Sequence, residues 1–338
     1  MRILQVGNAQ LRRFGKARVS TEYKLLNGFI RNHHHVLHFS DRDMAAFLAP
    51  FKLRDLGIGK MNRAFVKTAI NFRPDMILFG HCDLIKNETL ETIRKNLPEV
   101  RIAYRNVDPL FVPHNLPAIQ KRTGSADTIF ITTAGSGLDQ FRGRRASIHY
   151  MPNPTDASIE TYDNSIRDDL PYDLFFCGNS NEHTERKNTI VHLSEQLQSS
   201  SLTFKTFGYF GEPNVWGHEY EAVLANSKMG LNLNRQEDTL YSSARLSQLM
   251  ANGILAFIQK DGKMNELIGE DTAIFFDTKE DLLERIKELH KDDATRKAIA
   301  SKGRSFYRTH FSSDAVAQYI VERTMGLPLS RDYIWSKH

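Results

Sequence analysis

Short apolar runs that end in small or polar residues alternate along this chain with stretches of helical spacing, and the alternation runs through twice. Ile3 to Val6 passes straight into Gly7-Asn8. Thr21 to Asn32 then sets Tyr23, Leu26, Phe29 and Ile30 on one helical face. Val36 to Phe39, Asp75 to Gly80, Val100 to Tyr104, Thr128 to Thr132 and His149 to Met151 are the later strand-like runs of this half. Helical stretches stand between them at Asn62 to Asn71 and Asn87 to Asn96. Near-continuous apolar strands separated by amphipathic helices belong to parallel sheets covered on both faces.

From Pro152 to Pro171 the period is lost among Asn, Asp, Ser, Thr and Pro residues, which predicts a linker. The alternation then restarts with strand-like runs at Tyr172 to Cys177, Thr203 to Gly208, Met229 to Asn234, Ile254 to Ile258 and Ala273 to Phe276. Helical stretches at Glu280 to His290, Asp293 to Arg308 and Ser313 to Met325 close the chain. The expected architecture is α/β, with two doubly wound domains at 1–155 and 172–325. A linker at 156–171 joins them and a tail at 326–338 follows. Ligands of such sheets bind beyond the carboxyl ends of the strands. Two such sheets facing a central cleft would hold the site there, so polar residues at strand ends are the candidates.

Composition narrows the classes. The 338 residues suffice for two domains, with 41% hydrophobic and 25% charged residues as in ordinary soluble proteins. Lys and Arg total 45 against 40 Asp and Glu, a net charge of +5. This excess is too slight to mark a nucleic-acid binder, and it suits loose attraction to an anionic membrane surface. Cys82 and Cys177 form no CxxC pair, so structural zinc and a disulfide framework are not expected. His33-His34-His35 lacks chelating spacing, and Asp41-Arg42-Asp43 is read as coincidence, so no metal is expected. The start of the chain is too quickly polar for a signal peptide, and no apolar stretch is long enough to span a membrane. The expected location is cytoplasmic, with room for peripheral contact at the membrane's inner face.

Two strand ends in the second half carry anion-binding chemistry. Cys177-Gly178-Asn179 closes one strand, and Glu185-Arg186-Lys187 opens the next helix. Backbone N–H groups at a helix start attract anions, and Arg186 and Lys187 add charge there; the same pair would also serve as a plain solvated first turn. Further on, Tyr241-Ser242-Ser243 leads into a helix carrying Arg245 and Gln248 three residues apart. Ser242 and Ser243 can cap that helix, and with Arg245 they form a second anion-binding set or an ordinary capped helix.

Asn232-Leu233-Asn234-Arg235, Tyr241-Ser242, Arg245-Leu246-Ser247-Gln248 and Ala251-Asn252-Gly253 together resemble a run in glycosyltransferases of the spore-maturation-protein-like group, within the glycosyl transferases group 1 superfamily. Asp281-Leu282-Leu283, Arg296 to Ala300, Gly303-Arg304, His310-Phe311-Ser312 and the earlier Val107-Asp108-Pro109 are similar as well. The resemblance covers most of 172–325 and is weaker over 1–150. It implies the GT-B fold of two Rossmann-like domains. It further implies transfer of a sugar from a nucleotide-activated donor to a hydroxyl of a glycan or glycolipid acceptor, in bacterial lipopolysaccharide or capsule synthesis. The donor is then a co-substrate and no cofactor is needed. One departure stands out: Gln248 occupies the place of the superfamily's glutamate, which accepts hydrogen bonds from the donor ribose. An amide oxygen still accepts, without the charge. The paired-glutamate spacing of many retaining members is also missing, since Leu240 stands eight residues before Gln248.

On the same resemblance, the Phe207 to Pro213 turn would border the nucleobase, with Tyr209 or Phe210 stacking on it or packing the turn. Gly7 and Asn8, with the basic loop of Arg12, Arg13, Lys16 and Arg18, would approach the diphosphate, the acceptor or a membrane. An inverting transfer needs a base, and His81 and Asp108 at strand ends are the candidates. Asp108 would equally serve as a turn aspartate before Pro109. A nucleotide-sugar epimerase and a non-catalytic sugar-nucleotide binder are the rival readings.

Overall fold

Each predicted apolar run becomes a parallel strand. The structure, a computed structural model, describes residues 1–9, 11–17, 20–80, 82–178, 185–235 and 238–338. It divides into one unit of Met1–Pro154 with Ser313–His338 and another of Thr155–Ser312.

In the first unit, β1 (Arg2–Gly7), β2 (His35–Ser40), β3 (Met76–Phe79), β4 (Arg101–Asn106), β5 (Thr128–Ile131) and β6 (Ser147–Tyr150) form a six-stranded sheet. Its order is β2-β1-β3-β4-β5-β6, and every pairing is parallel. The helices are α1 (Thr21–Arg31), α2 (Asp41–Leu48), α3 (Arg54–Phe72), α4 (Asn87–Asn96), α5 (Asn115–Arg122) and α6 (Ser136–Asp139). The order reverses direction between β1 and β3, the position where doubly wound sheets open a crevice.

In the second unit, β7 (Tyr172–Cys177), β8 (Phe204–Phe207), β9 (Ser227–Asn232), β10 (Leu255–Gln259) and β11 (Ile274–Phe276) form a parallel sheet in the order β11-β10-β9-β7-β8. Its helices are α7 (Glu185–Leu197), α8 (His218–Ala225), α9 (Ala244–Ala251), α10 (Met264–Ile268), α11 (Lys279–Lys291) and α12 (Asp293–His310). Leu174, Phe176, Met229, Leu231 and Phe257 of the sheet pack with Ile190, Leu193, Leu282 and Ile286 of the helices as one apolar core.

The structure corrects two expectations about boundaries. The polar stretch after Pro154 is part of the second unit. Asn164 is fully buried, and its amide donates to the carbonyls of Leu224 at 2.7 Å and Ser227 at 2.8 Å. The Tyr162 N–H donates to Asn252 Oδ1 at 3.0 Å. Its polar groups bond within the protein, so their polarity does not signal solvent. The last helix, α13 (Ser313–Met325), was expected in the second domain and instead lies in the first unit against α1. Gly28 of α1 makes this possible, because a Cβ there would stand 2.2 Å from the Ser313 carbonyl oxygen.

A buried ion pair lies under the carboxyl ends of β1, β3 and β4. The Arg105 guanidinium donates to the Glu22 carboxylate, and Gln5 Nε2 donates to Glu22 Oε1 at 2.7 Å. Burial pushes the Glu22 carboxyl up, but Arg105, His38 and Gln5 outweigh it and hold it at about 2. The strand ends are glycines for this reason: a Cβ on Gly7 would stand 2.3 Å from Glu22 Oε2, and one on Gly80 would stand 2.5 Å from Arg105 Nη2.

Two outcomes follow. Gly28→Ala should destabilise the protein by about 1–3 kcal/mol through overpacking, read from the urea midpoint. Glu22→Gln leaves Arg105 buried without a counter-charge and should cost about 3–5 kcal/mol. Because folding lowers the Glu22 value, its ionised form stabilises the wild type above the unfolded-state range near 4.5. That contribution falls away as pH drops toward about 2. Acid titration of the melting temperature should show this slope in the wild type and a flatter one in the variant.

Candidate functional site

Phe176, buried near the end of β7, is the floor of the candidate site. The Arg245 guanidinium lies 4.9 Å from its ring centroid and the Arg186 guanidinium 5.9 Å. Two helices deliver these cations. Arg186 sits in the first turn of α7, and Arg245 in the first turn of α9. Gly230 in β9 lets α9 press on the sheet, because a Cβ there would meet Leu249 at 2.5 Å. The start of α9 is pinned by Ser243, which donates to Asn232 Oδ1 at 2.7 Å and accepts from the Leu246 N–H at 3.2 Å.

Arg245 is half-buried and donates through Nη1 to the Leu233 carbonyl at 2.9 Å. No carboxylate pairs with it among the described residues. Burial, and repulsion from Arg186, lower it from the ordinary arginine value against the pull of Tyr220, Cys177 and Tyr241. It stays charged, as arginine does in proteins. Burial also pushes the Cys177 thiol beside it up to about 12, so that sulfur is no nucleophile near neutral pH.

A cavity of about 390 Å³ opens here, lined by Glu185, Arg186 and Thr189 of α7, Leu233, Asn234 and Arg235 after β9, Gln259 at the end of β10 and Asp261 beyond it. It lies beyond the carboxyl ends of adjacent strands, as the fold dictates. Its lining carries the cations Arg186 and Arg235, the carboxylates of Glu185 and Asp261, and the Gln259 amide.

The predicted residues divide. Arg186 and Arg245 come together over the Phe176 ring, and of the two Arg186 lines the cavity; Lys187, half-buried, lies outside that lining as Arg245 does. Gly178 lies against the Phe176 ring, where a Cβ would stand 2.6 Å from it, and its N–H donates to the Phe207 carbonyl at 3.1 Å. Tyr241 is half-buried within range of Arg245. Gln248 is buried, and its carbonyl oxygen accepts from the Tyr220 hydroxyl at 2.8 Å. Asn179 and His81 lie outside the described residues.

Other expectations are corrected. Tyr209 is 2% exposed and packs edge-on against Phe176 in the core, so its ring has no free face for a base; the exposed aromatic of that turn is Phe210. Ser242 is buried toward the Tyr307 hydroxyl, and the Ser243 hydroxyl is engaged in its cap, so both serve the fold rather than an anion. Gly7 makes room for the Glu22 carboxylate, not for a diphosphate. Asn8 is half-buried just after β1. Asp108 is half-buried in a turn after β4, where its N–H donates to Asn106 Oδ1 at 3.1 Å and its carbonyl accepts from Asn115 at 2.7 Å. Thr189, Gln259 and Asp261 were missed. The signal for the last two was available: each stands at or just past a strand end.

Residues 186–322 match the family described as glycosyl transferase-like. No curated protein matches the sequence. Among solved structures, an alpha-glucosyltransferase in complex with UDP and DNA is similar at a TM-score of 0.65 and 13% identity, over 96% of this chain and 99% of that one. Sucrose-phosphate synthase from Thermosynechococcus elongatus aligns at 0.61 and 12% identity, over 95% and 98%. HepE from Anabaena, in complex with UDP, aligns at 0.57 and 15%, over 97% and 100%. These likenesses establish the two-domain Rossmann-like fold. The fold is therefore that of the GT-B class, and within it residues 186–322 are similar to the glycosyl transferase-like family.

Proposed function

We propose that this protein transfers a sugar from a UDP-sugar donor to a hydroxyl of a glycan or glycolipid. It would work in bacterial surface polysaccharide synthesis and reach the inner face of the membrane as a peripheral protein. The observation that carries the donor assignment is Arg245, half-buried over Phe176 beside Arg186, with no carboxylate pairing it among the described residues. Such a guanidinium asks for an anion. The UDP and UDP-glucose bound by HepE, and the UDP bound by the alpha-glucosyltransferase, support a uridine diphosphate as that anion.

Charge grows on the diphosphate as the sugar–phosphate bond breaks. Cations fixed in advance where that charge appears lower the barrier, so Arg186 and Arg245 take the part a metal plays elsewhere, and no metal is required. Glu185, Asp261 and Gln259 supply acceptors suited to sugar or ribose hydroxyls, and Gln248 holds its ribose-directed place through its bond to Tyr220. On the acceptor side, Asp108 in the turn after β4 is the proposed base for an inverting transfer.

A thermal-shift screen across nucleotides and UDP-sugars tests the donor site, since a ligand that binds the folded state raises the melting temperature. Arg245→Ala should weaken UDP binding by at least about tenfold, the loss expected for one charge-assisted contact. Unchanged affinity would sink the assignment. Turnover separates the rivals. UDP release that acceptor stimulates marks a transferase, altered stereochemistry in the donor sugar marks an epimerase, and binding without turnover marks a binder.

A further inference from the structure

The turn between α2 and α3 carries an exposed apolar tip. Phe47 at the end of α2 is 80% exposed and Phe51 is 91% exposed, with Leu53 and Leu56 beside them also open to solvent. Phe51 and Lys52 are consecutive non-glycine residues at positive φ, 53° and 56°, a conformation the chain adopts only at a cost. Burying Phe51 would serve the fold; instead the turn holds the ring outward.

From this tip a basic stripe runs along α3. The inner face, with Met61, Phe65 and Ala69, is buried, and α2 is pressed so close that a Cβ on Gly57 would stand 1.8 Å from the Ala45 carbonyl oxygen. The outer face presents Lys60, Arg63 and Lys67. These recur at spacings of three and four and so share one side of the helix. None is in an ion pair among the described residues. Glu88 of α4 stands at the flank, lining a shallow cavity with Arg63 and Lys67, and the stripe stays net positive. A third exposed aromatic lies in the loop after β1. The Leu11 N–H donates to Asp43 Oδ2 at 3.2 Å, which ties the loop after β1 to the first turn of α2, and Phe14 in that loop is 93% exposed.

Exposed aromatics at a tip, continuous with an unpaired row of Lys and Arg on a helix, match the interface of an anionic bilayer. There, rings sit at the head-group level and cations meet lipid phosphates. We propose that this edge of the first unit docks on an anionic phospholipid surface, inserting Phe47 and Phe51 and laying Lys60, Arg63 and Lys67 on the head groups. The proposal deepens the peripheral placement suggested above and depends on it, but not on the donor assignment. Among the described residues no helix is long and apolar enough to cross a membrane, so docking would be reversible.

Flotation with vesicles of phosphatidylcholine alone, and of phosphatidylcholine with phosphatidylglycerol, tests it. The wild type should float with the anionic vesicles, weakly with the neutral ones, and less as salt rises. Lys60→Glu, Arg63→Glu and Lys67→Glu together should lower the affinity by at least roughly a hundredfold, from three lost contacts at the surface. Phe47→Ser with Phe51→Ser should also release the protein. Both sets change exposed side chains, so melting temperature and the shift produced by UDP should stay at wild-type values, which keeps the test separate from that of the donor site. Equal flotation with both vesicle types, or variants that float like the wild type, would overturn the proposal. So would a wild-type dimer by light scattering that the Phe variants dissolve while vesicle binding is unmoved.

Discussion

A guanidinium held half-buried, with no carboxylate partner among the described residues, is the constraint around which the second unit is arranged. Withdrawing a charge from water costs energy unless partners replace the water. Arg245 receives two incomplete replacements, the face of Phe176 and the Leu233 carbonyl. A cation over an aromatic face gains about 0.5–2 kcal/mol, far from full hydration. The ring must therefore be in place, and the surrounding backbone yields to it. Gly178 has no Cβ because the ring fills that space, and Gly208 adopts φ +82° with its Cβ position 1.9 Å from the Gly178 carbonyl oxygen. Arg186 brings a second positive charge over the same ring.

Much of the fold was legible because a parallel strand buried on both faces must be apolar throughout. Ile3 to Val6 and Tyr172 to Cys177 could be little else, and the structure extends or keeps their bounds. The placement of α13 was not legible. Its apolar residues show that it covers something, and nothing in Val316, Tyr319 or Ile320 says which sheet. The stretch after Pro154 misled for a related reason. Asn164 is polar because two backbone carbonyls need a donor in the interior, and sequence polarity reads the same in either setting.

The site was legible to the extent that the fold alone locates it. Strand ends pointed to Arg186 and Arg245, and the geometry joins them. Chemistry-bearing residue types misled where the fold had its own use for them. Ser243 is a cap, Ser242 faces a buried tyrosine, and Tyr209 fills the core. A hydroxyl or ring at a strand end is a candidate only once its structural duties are counted, and those duties depend on partners distant in sequence, such as Tyr307 for Ser242.

The passage of α13 into the first unit makes the second unit an insertion within the first. The chain leaves the first unit after Pro154 and returns at Ser313, and where the second unit begins and ends, the Thr155 N–H bonds the Phe311 carbonyl at 2.9 Å. On the ribosome this fixes an order. Residues 155–312 emerge as a complete set and can close their core, while the first unit, though synthesised first, waits for Ser313–His338 to cover α1 and its sheet. The N-terminal half is thus the last to be finished, and it stays open for as long as the second unit takes to be made.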